Sequence, residues 1–142
     1  MHARMRILRV GAIGLAVLVS GSASGADARW PTDETIRTAM ATIRKATLDN
    51  HTLVTHRRMP PATAQSFANT IAAAVSRIRT DTQVPADAKA ALEPILADIV
   101  AGAEAVAGRG GETAPFDGIV RIDAALGHYP LRFDDPTWQP LR

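Results

Sequence analysis

The chain has 142 residues, of which 16 are basic and 14 acidic, and its formal net charge is +2. This length suits one domain of ordinary size, and the absence of cysteine excludes disulfides, thiolate metal sites and thioether-linked haem. Six aromatic residues are too few for a platform that stacks the bases of single-stranded nucleic acid.

Residues 1–28 have the three parts of a cleavable secretory signal peptide: a segment with three arginines, the apolar run Val10–Val19 and a small polar stretch. This run is about half of the roughly 20 apolar residues that a membrane-spanning helix needs, which argues against the alternative of an anchor. Residues 29–142 then carry thirteen basic and thirteen acidic side chains, so no electrostatic argument for nucleic acid or an anionic membrane as partner remains. We therefore expect a soluble exported protein, periplasmic in a Gram-negative bacterium, with one domain over residues 29–142.

The first predicted helix begins near Thr32, the expected N-cap, because Asp33 and Glu34 place negative charge where the helix dipole favours it. Apolar residues then recur at spacings of three and four, which puts them on one helical face. This row consists of Ile36, Met40, Ile43 and Thr47, extended by Leu53 and Val54. Pro60 and Pro61 end the segment, since neither proline can continue a helix interior.

The second and third predicted helices show the same spacing. Pro61 suits the first turn of the second helix. The apolar row of that helix is Ala64, Phe67, Ile71, Val75 and Ile78. Residues 80–84 form a polar connection, and Pro85 opens the third segment. The apolar row there is Leu92, Ile95, Ile99, Ala103 and Val106. Pro94 interrupts this segment, which predicts either a kink or a true helix start near Glu93.

The fourth predicted helix starts near Phe116, after a turn at Gly108–Gly111. Its apolar row is Ile119, Ile122, Leu126 and Tyr129, with Phe133 next in line. Pro130 is expected to end or bend the helix around Gly127–Tyr129. Residues 131–142 are expected to form an irregular tail that holds Trp138.

Four amphipathic helices with short connections predict an all-α fold: an up-down-up-down antiparallel four-helix bundle with an irregular C-terminal tail. No segment alternates apolar and polar residues with a period of two, so no sheet is expected. Alanine supplies 21 of residues 29–142, and small side chains let helices approach closely. The start of the first helix and the end of the fourth share one end of such a bundle, where Trp30 and Trp138 are expected to close it together.

Two short motifs resemble those of a group of small exported helical proteins from proteobacteria, whose biochemical role is not established. They are Ile36-Arg37-x-x-Met40-x-x-Ile43-Arg44 and Tyr129-x-x-x-Phe133-x-x-Pro136-x-Trp138. The resemblance covers most of residues 29–142, and within the final motif the group often has His and Gly where this chain has Asp135 and Thr137. The expected architecture is also similar to that of the exported four-helix cytochromes of the b and c′ types, a likeness of fold alone.

The cytochrome likeness implies one candidate cofactor site. Soluble b-type bundles hold haem between a Met early in the first helix and a His late in the fourth, and Met40 and His128 occupy those places here. A thioether and an imidazole are suitable axial ligands for haem iron. The alternative interpretation makes Met40 ordinary core and His128 a solvated residue at a helix end. Haem b is therefore the alternative to a chain without a cofactor.

His56 and Met59 form a candidate metal pair, because they lie three residues apart and a thioether suits Cu(I). Two ligands are few for a metal site, and exposed residues before a loop explain the same pair. His51 lies five residues before His56, a spacing that puts the two imidazoles on different helix faces. Arg57 and Arg58 are two adjacent basic residues, which either contact a partner or are solvated.

No catalytic set emerges from the sequence. Asp134 and Asp135, with Asp117 or Asp123, come nearest to paired carboxylates, but no nucleophile or oriented base accompanies them. Gly108–Gly111 lacks the Lys-Ser/Thr of a phosphate-binding loop. We therefore predict a binding or accessory protein that is not an enzyme, with an unidentified protein or small ligand as partner. The alternative is a haem- or metal-binding electron-transfer bundle.

Overall fold

The computed structural model describes residues 28–141, so the predicted leader lies outside the described residues except for Ala28. Four helices account for most of this part of the chain. They are α1 (Glu34–Thr55), α2 (Pro61–Asp81), α3 (Ala86–Val106) and α4 (Pro115–Arg132). Two strands of two residues each, β1 (Trp30–Pro31) and β2 (Phe133–Asp134), complete the elements. None of the helices described here is long and apolar enough to cross a membrane.

The four helices form the all-α bundle that the sequence predicts. Each helix packs on the next one in the chain, and α1 packs on α4, which closes the set into a ring of neighbours. Short connections between consecutive helices make the bundle antiparallel, in the up-down-up-down order. Every residue of the four predicted apolar rows, apart from the half-buried Leu53, is buried. The three-four spacing therefore identified the inward face of each helix correctly.

Asp33, and not Thr32, is the N-cap of α1. Its backbone is extended (φ −108°, ψ 177°), and its Oδ1 accepts a hydrogen bond of 2.9 Å from the backbone N–H of Ile36. The hydroxyl of Thr32 donates instead to the carbonyl oxygen of Asp134, at 2.7 Å. Thr32 is therefore used to tie the start of the domain to its C-terminal segment, and the expected N-cap is one residue too early.

Both internal prolines lie within continuous helices. Pro94 is exposed in the middle of α3, and Pro130 lies two residues before the end of α4, inside its last turn. A helix start near Glu93 and a helix end before Pro130 are therefore both wrong. An internal proline costs a helix about 3 kcal/mol, whereas each large apolar side chain that becomes buried stabilises it by about 1.5–3 kcal/mol. Buried residues on both sides of Pro94, such as Leu92 and Ile95, outweigh that cost in α3. After Pro130, α4 continues only through the exposed Leu131 and Arg132 before the chain enters β2.

One end of the bundle is closed by the two termini of the domain. β1 and β2 pair in parallel, with Trp30 opposite Phe133, so the predicted irregular tail begins with helix and strand. The Tyr129 ring stacks on Phe133 at 5.7 Å between centroids and meets Trp138 edge-on at 4.8 Å. Both tryptophans are half-buried against the core, as expected. We call this the closed end, defined by Trp30, Tyr129, Phe133 and Trp138.

Two glycines let α3 and α4 touch backbone to backbone. A Cβ on Gly102 would lie 2.5 Å from the carbonyl oxygen of Gly118, and a Cβ on Gly118 would lie 2.5 Å from that of Gly102. Neither carbonyl can move without its helix, so no larger residue fits there at this helix separation. The high alanine content predicts that helices approach closely through small side chains. The closest approach of α3 and α4 is instead made by two glycines.

Candidate functional site

The bundle end opposite the closed end holds an apolar cavity of about 470 Å³. We call it the open-end cavity. It lies where α1 and α3 finish and α2 and α4 begin, and every helix contributes to its wall. The apolar lining consists of Leu53, Val54, Met59, Ala64, Val106, Ala114, Pro115 and Phe116. Val54, Ala64 and Val106 form a buried floor, whereas Phe116 is 45% exposed at the rim. Small-molecule sites are commonly concave, mostly apolar and of this size.

Arg57 is the charged residue in that lining, and its backbone has an unusual conformation. Its φ is +54°, and among residues 28–141 Arg57 is the one residue other than glycine in the left-handed region. Its N–H donates to the carbonyl of Val54 at 3.0 Å, and the next N–H, of Arg58, donates to that of Leu53 at 2.8 Å. This is the Schellman arrangement that commonly ends a helix, with arginine at the position where glycine is usual.

The end of α3 provides an internal comparison. Gly108, with φ at +78°, donates to the carbonyl of Ala105 at 3.0 Å, and Arg109 donates to that of Glu104 at 2.8 Å. The two turns therefore make the same pair of hydrogen bonds, and glycine satisfies the geometry without a Cβ clash. For an L-residue with a side chain the left-handed conformation costs roughly 1–2 kcal/mol. Arg57 bears that cost at the wall of the cavity.

The Arg57 side chain has no partner within the described part of the chain. It is exposed and makes neither a side-chain hydrogen bond nor an ion pair with any residue from 28 to 141. Arg109, at the same end of the bundle, differs: its guanidinium pairs with Glu104 at 2.8 Å and contacts Gln65. The hydrogen bond from Arg109 lowers the pKa of the Glu104 carboxyl below its ordinary value, although burial acts to raise it. Among residues 28–141, Arg57 thus has no ionic partner, and it lies beside an apolar cavity.

Two helix N-termini and two helix C-termini meet at this end of the bundle. α2 and α4 begin after Pro60 and Ala114, and neither of these residues supplies a side-chain cap. The N-termini of α2 and α4 carry partial positive charges, and the C-termini of α1 and α3 carry partial negative charges of similar size, so the helix dipoles largely cancel here. Asp117 is exposed in the first turn of α4 and does not line the cavity. Arg57 is therefore the main source of positive charge at the cavity.

Comparisons of the chain with family models, curated proteins and solved structures found no match. The resemblance to small exported proteins of proteobacteria thus stays a prediction.

The structure does not bring the two predicted haem ligands together. Met40 is fully enclosed by the core. His128 is exposed on α4 and lines a groove against α3, with Ala91 and Asp98 opposite. A haem between these two residues would have to displace core side chains around Met40. The pairing of Met40 with His128 stays a prediction, and the packing supports the alternative role of each residue.

The predicted metal pair is divided between the cavity and the solvent. Met59 is half-buried against the core and lines the open-end cavity, whereas His56 is exposed and caps α1. His51 binds Asp123 of α4 instead, with 2.9 Å between Nε2 and Oδ2. Within residues 28–141 no three His, Asp or Glu side chains lie close enough together to hold a metal ion. Metal binding by His56 and Met59 stays a prediction.

A buried hydrogen bond at the closed end was missed by sequence reasoning. The Tyr129 hydroxyl donates to Oδ2 of Asp135 at 2.8 Å, and the other carboxylate oxygen accepts from the N–H and hydroxyl of Thr137. Burial, the hydrogen bond and the nearby negative charge raise the pKa of Tyr129 far above its ordinary value. The available signal was Tyr129 itself, because a tyrosine in an apolar row needs a partner for its hydroxyl. Asp135 therefore holds the C-terminal segment against α4.

Asp33 joins the start of α1 to the α2–α3 connection at the same end of the bundle. Besides capping α1, its Oδ2 accepts from the Thr82 hydroxyl at 2.8 Å and from the Gln83 N–H at 2.7 Å. Burial acts to raise the pKa of Asp33, but the hydrogen bonds from Ile36, Gln83 and Thr82 outweigh it and lower the pKa. The charged carboxylate therefore stabilises the junction of α1 with the α2–α3 connection.

Proposed function

We propose that the chain is an exported binding protein, not an enzyme, that takes a small apolar ligand in the open-end cavity. The observation that carries this proposal is the cavity itself, about 470 Å³ in volume and lined by eight apolar residues and one arginine. Ligand sites of roughly 300–1,000 Å³ with few polar groups are typical of proteins that bind small molecules. Binding is favoured over catalysis because the lining offers no nucleophile and no acid–base pair.

Burial of apolar surface would drive binding at such a site. Transfer of a ligand from water to an apolar wall contributes about 0.8 kcal/mol for each buried methylene group. The floor is made of side chains that other core residues already hold in place, so the cavity requires little rearrangement to accept a ligand. A preformed site avoids much of the ordering cost of binding.

A neutral fluorescent probe tests this proposal directly. N-phenyl-1-naphthylamine gains fluorescence in apolar surroundings and carries no charge that Arg57 would attract. We expect it to bind the purified protein, and Ala64→Phe to weaken binding at least about tenfold, because the new ring fills the floor of the cavity. Ala62→Phe is the matched control: Ala62 is exposed on the same helix and does not line the cavity.

The design separates site binding from non-specific adsorption. Thermal unfolding and circular dichroism confirm that both variants fold. Equal fluorescence from the two variants and the parent protein would contradict the assignment of the cavity, and no fluorescence from the parent would contradict the binding function.

Export is the second part of the proposal. A basic segment, an apolar run and a small-residue stretch in residues 1–28 support cleavage before the helical domain. Expressed in a Gram-negative host, the protein should appear in the periplasmic fraction with a mass that corresponds to loss of about 28 residues. An intact mass in the cytoplasmic fraction would contradict it.

A further inference from the structure

On the basis of the binding function proposed above, we infer that the ligand is a single-chain amphiphile with one anionic head. The apolar chain occupies the open-end cavity, and a carboxylate or similar oxyanion binds the Arg57 guanidinium at its edge. Three observations carry this inference: the composition of the wall, the state of the Arg57 side chain, and the conformation of its backbone.

The cavity wall has an apolar part and a charged part, and each part favours a different chemical group in the ligand. Eight lining residues are apolar, and the positive charge belongs to one residue on one side. A ligand that is polar throughout would leave its own groups unpaired against the floor of Val54, Ala64 and Val106. A wholly apolar ligand would leave the Arg57 cation unused. An amphiphile satisfies both parts of the site.

The Arg57 side chain is available for such a head. A guanidinium presents a planar set of donors that matches a carboxylate with two parallel hydrogen bonds. No described side chain competes for it, whereas Arg109 is already held by Glu104 and Gln65. Charge complementarity therefore points to an anion.

The backbone of Arg57 gives an independent argument. The turn after α3 makes the same two hydrogen bonds with Gly108 at the left-handed position, so closing α1 does not require an arginine there. Strain of this kind recurs at ligand-binding positions, where the side chain has another use. The left-handed turn places Arg57 in the cavity wall, while the adjacent Arg58 is exposed and does not line it.

The site differs from one for inorganic anions. One arginine without a cradle of N–H groups gives sulfate or phosphate little to bind, so the chain must supply most of the affinity. Burial of about 0.8 kcal/mol per methylene corresponds to about fourfold in affinity. We expect binding of straight-chain carboxylates to strengthen by about that factor per carbon from hexanoate upward, until the cavity is full.

Calorimetric titrations below the micelle concentration test the assignment with decanoate, decanol and decyltrimethylammonium. We expect decanoate to bind most tightly, and Arg57→Gly to weaken decanoate about tenfold or more while decanol is unaffected. Arg57→Lys keeps the charge and should retain part of the decanoate affinity. Arg58→Ala, the matched control, should retain all of it. Decyl phosphate tests whether another oxyanion substitutes for the carboxylate, and the same Arg57 dependence is expected.

The outcomes distinguish this inference from the proposed function. If decanoate and decanol bind equally, or if Arg58→Ala weakens decanoate as much as Arg57→Gly, the anionic head is wrong and the apolar site stands. If none of the decyl compounds binds, the proposed function itself is overturned. Circular dichroism of each variant excludes unfolding as the cause of lost binding.

Discussion

The contact between Gly102 and Gly118 can be tested by adding a single methyl group. Gly102→Ala would place its Cβ 2.5 Å from the Gly118 carbonyl oxygen and 2.6 Å from Cγ1 of Ile122. The side chain of Ile122 can rotate, but the carbonyl belongs to the backbone of α4, so the two helices must separate. Overpacking of this kind costs about 1–3 kcal/mol.

The intrinsic preference of the helix acts in the opposite direction. Alanine is favoured over glycine inside a helix by about 0.8–1.0 kcal/mol. The difference between the two effects is a net loss of up to about 2 kcal/mol in the free energy of unfolding, expected for Gly102→Ala and for Gly118→Ala. At about 4 °C per kcal/mol for a domain of this size, Tm should fall by up to about 8 °C.

Gly127→Ala is the matched control for this prediction. Gly127 lies in α4, is exposed, and has no atom within 4 Å of an added Cβ. We expect this variant to gain about 0.5–1 kcal/mol. The double variant Gly102→Ala/Gly118→Ala should lose less than the sum of the single losses, because the first methyl group already separates the helices. A Tm of Gly102→Ala as high as that of Gly127→Ala would refute the close approach of α3 and α4.

Three further predictions concern the closed end and the cofactor. Asp33→Ala should destabilise the fold by about 1–2 kcal/mol through loss of the N-cap. Because the folded pKa of Asp33 is lowered, its contribution is present above about pH 4 and lost as the pH falls through the folded value, so urea unfolding of the variant should be less acid-sensitive. Tyr129→Phe should cost about 1.5–3 kcal/mol, since the Asp135 carboxylate loses a buried donor. Because the folded pKa of Tyr129 is raised, the free energy of unfolding should fall as the pH rises above about 10, the ordinary value for tyrosine. Tyr129 is the single tyrosine of the chain, so tyrosinate absorbance should appear together with unfolding and not before it. Incubation with hemin should leave the protein without a Soret band, because Met40 is enclosed by the core. A band that appears with the parent protein and is lost in both the Met40 and the His128 alanine variants would support the haem hypothesis.

The sequence predicts the bundle well because the spacing of apolar residues along a helix indicates directly which side chains are buried. Four rows with three-four spacing identify the inward faces, and short connections determine which helices are neighbours. Local signals fail where distant packing outweighs them. Pro94 is typical of a helix end, yet α3 continues through it, with the buried Leu92 and Ile95 on either side. The strength of that packing is not contained in the residues around a proline.

The candidate site was harder to predict than the fold. A cavity is the volume that packing leaves unfilled, and no spacing of residues specifies it. One signal for Arg57 was available: no glycine or asparagine follows α1 before Pro60, so a Schellman turn there must use a residue with a side chain at the left-handed position. The Gly102–Gly118 contact was hidden for a related reason, because it depends on which faces of α3 and α4 meet.

The two helix-end turns at the open end link stability to function in a way that one variant can separate. Arg57→Gly would give α1 the turn that Gly108 gives α3, with the same pair of hydrogen bonds and without the left-handed strain. We expect the variant to be more stable by about 1 kcal/mol, measured by urea unfolding. Gly108→Ala should be less stable by a similar amount, because it introduces the strain that the first variant removes. If Arg57→Gly is instead less stable than the parent, then the arginine contributes to folding, and its left-handed conformation is no evidence for a ligand. If it is more stable and also loses decanoate affinity, the position exchanges stability for binding, as expected of a residue placed for its side chain.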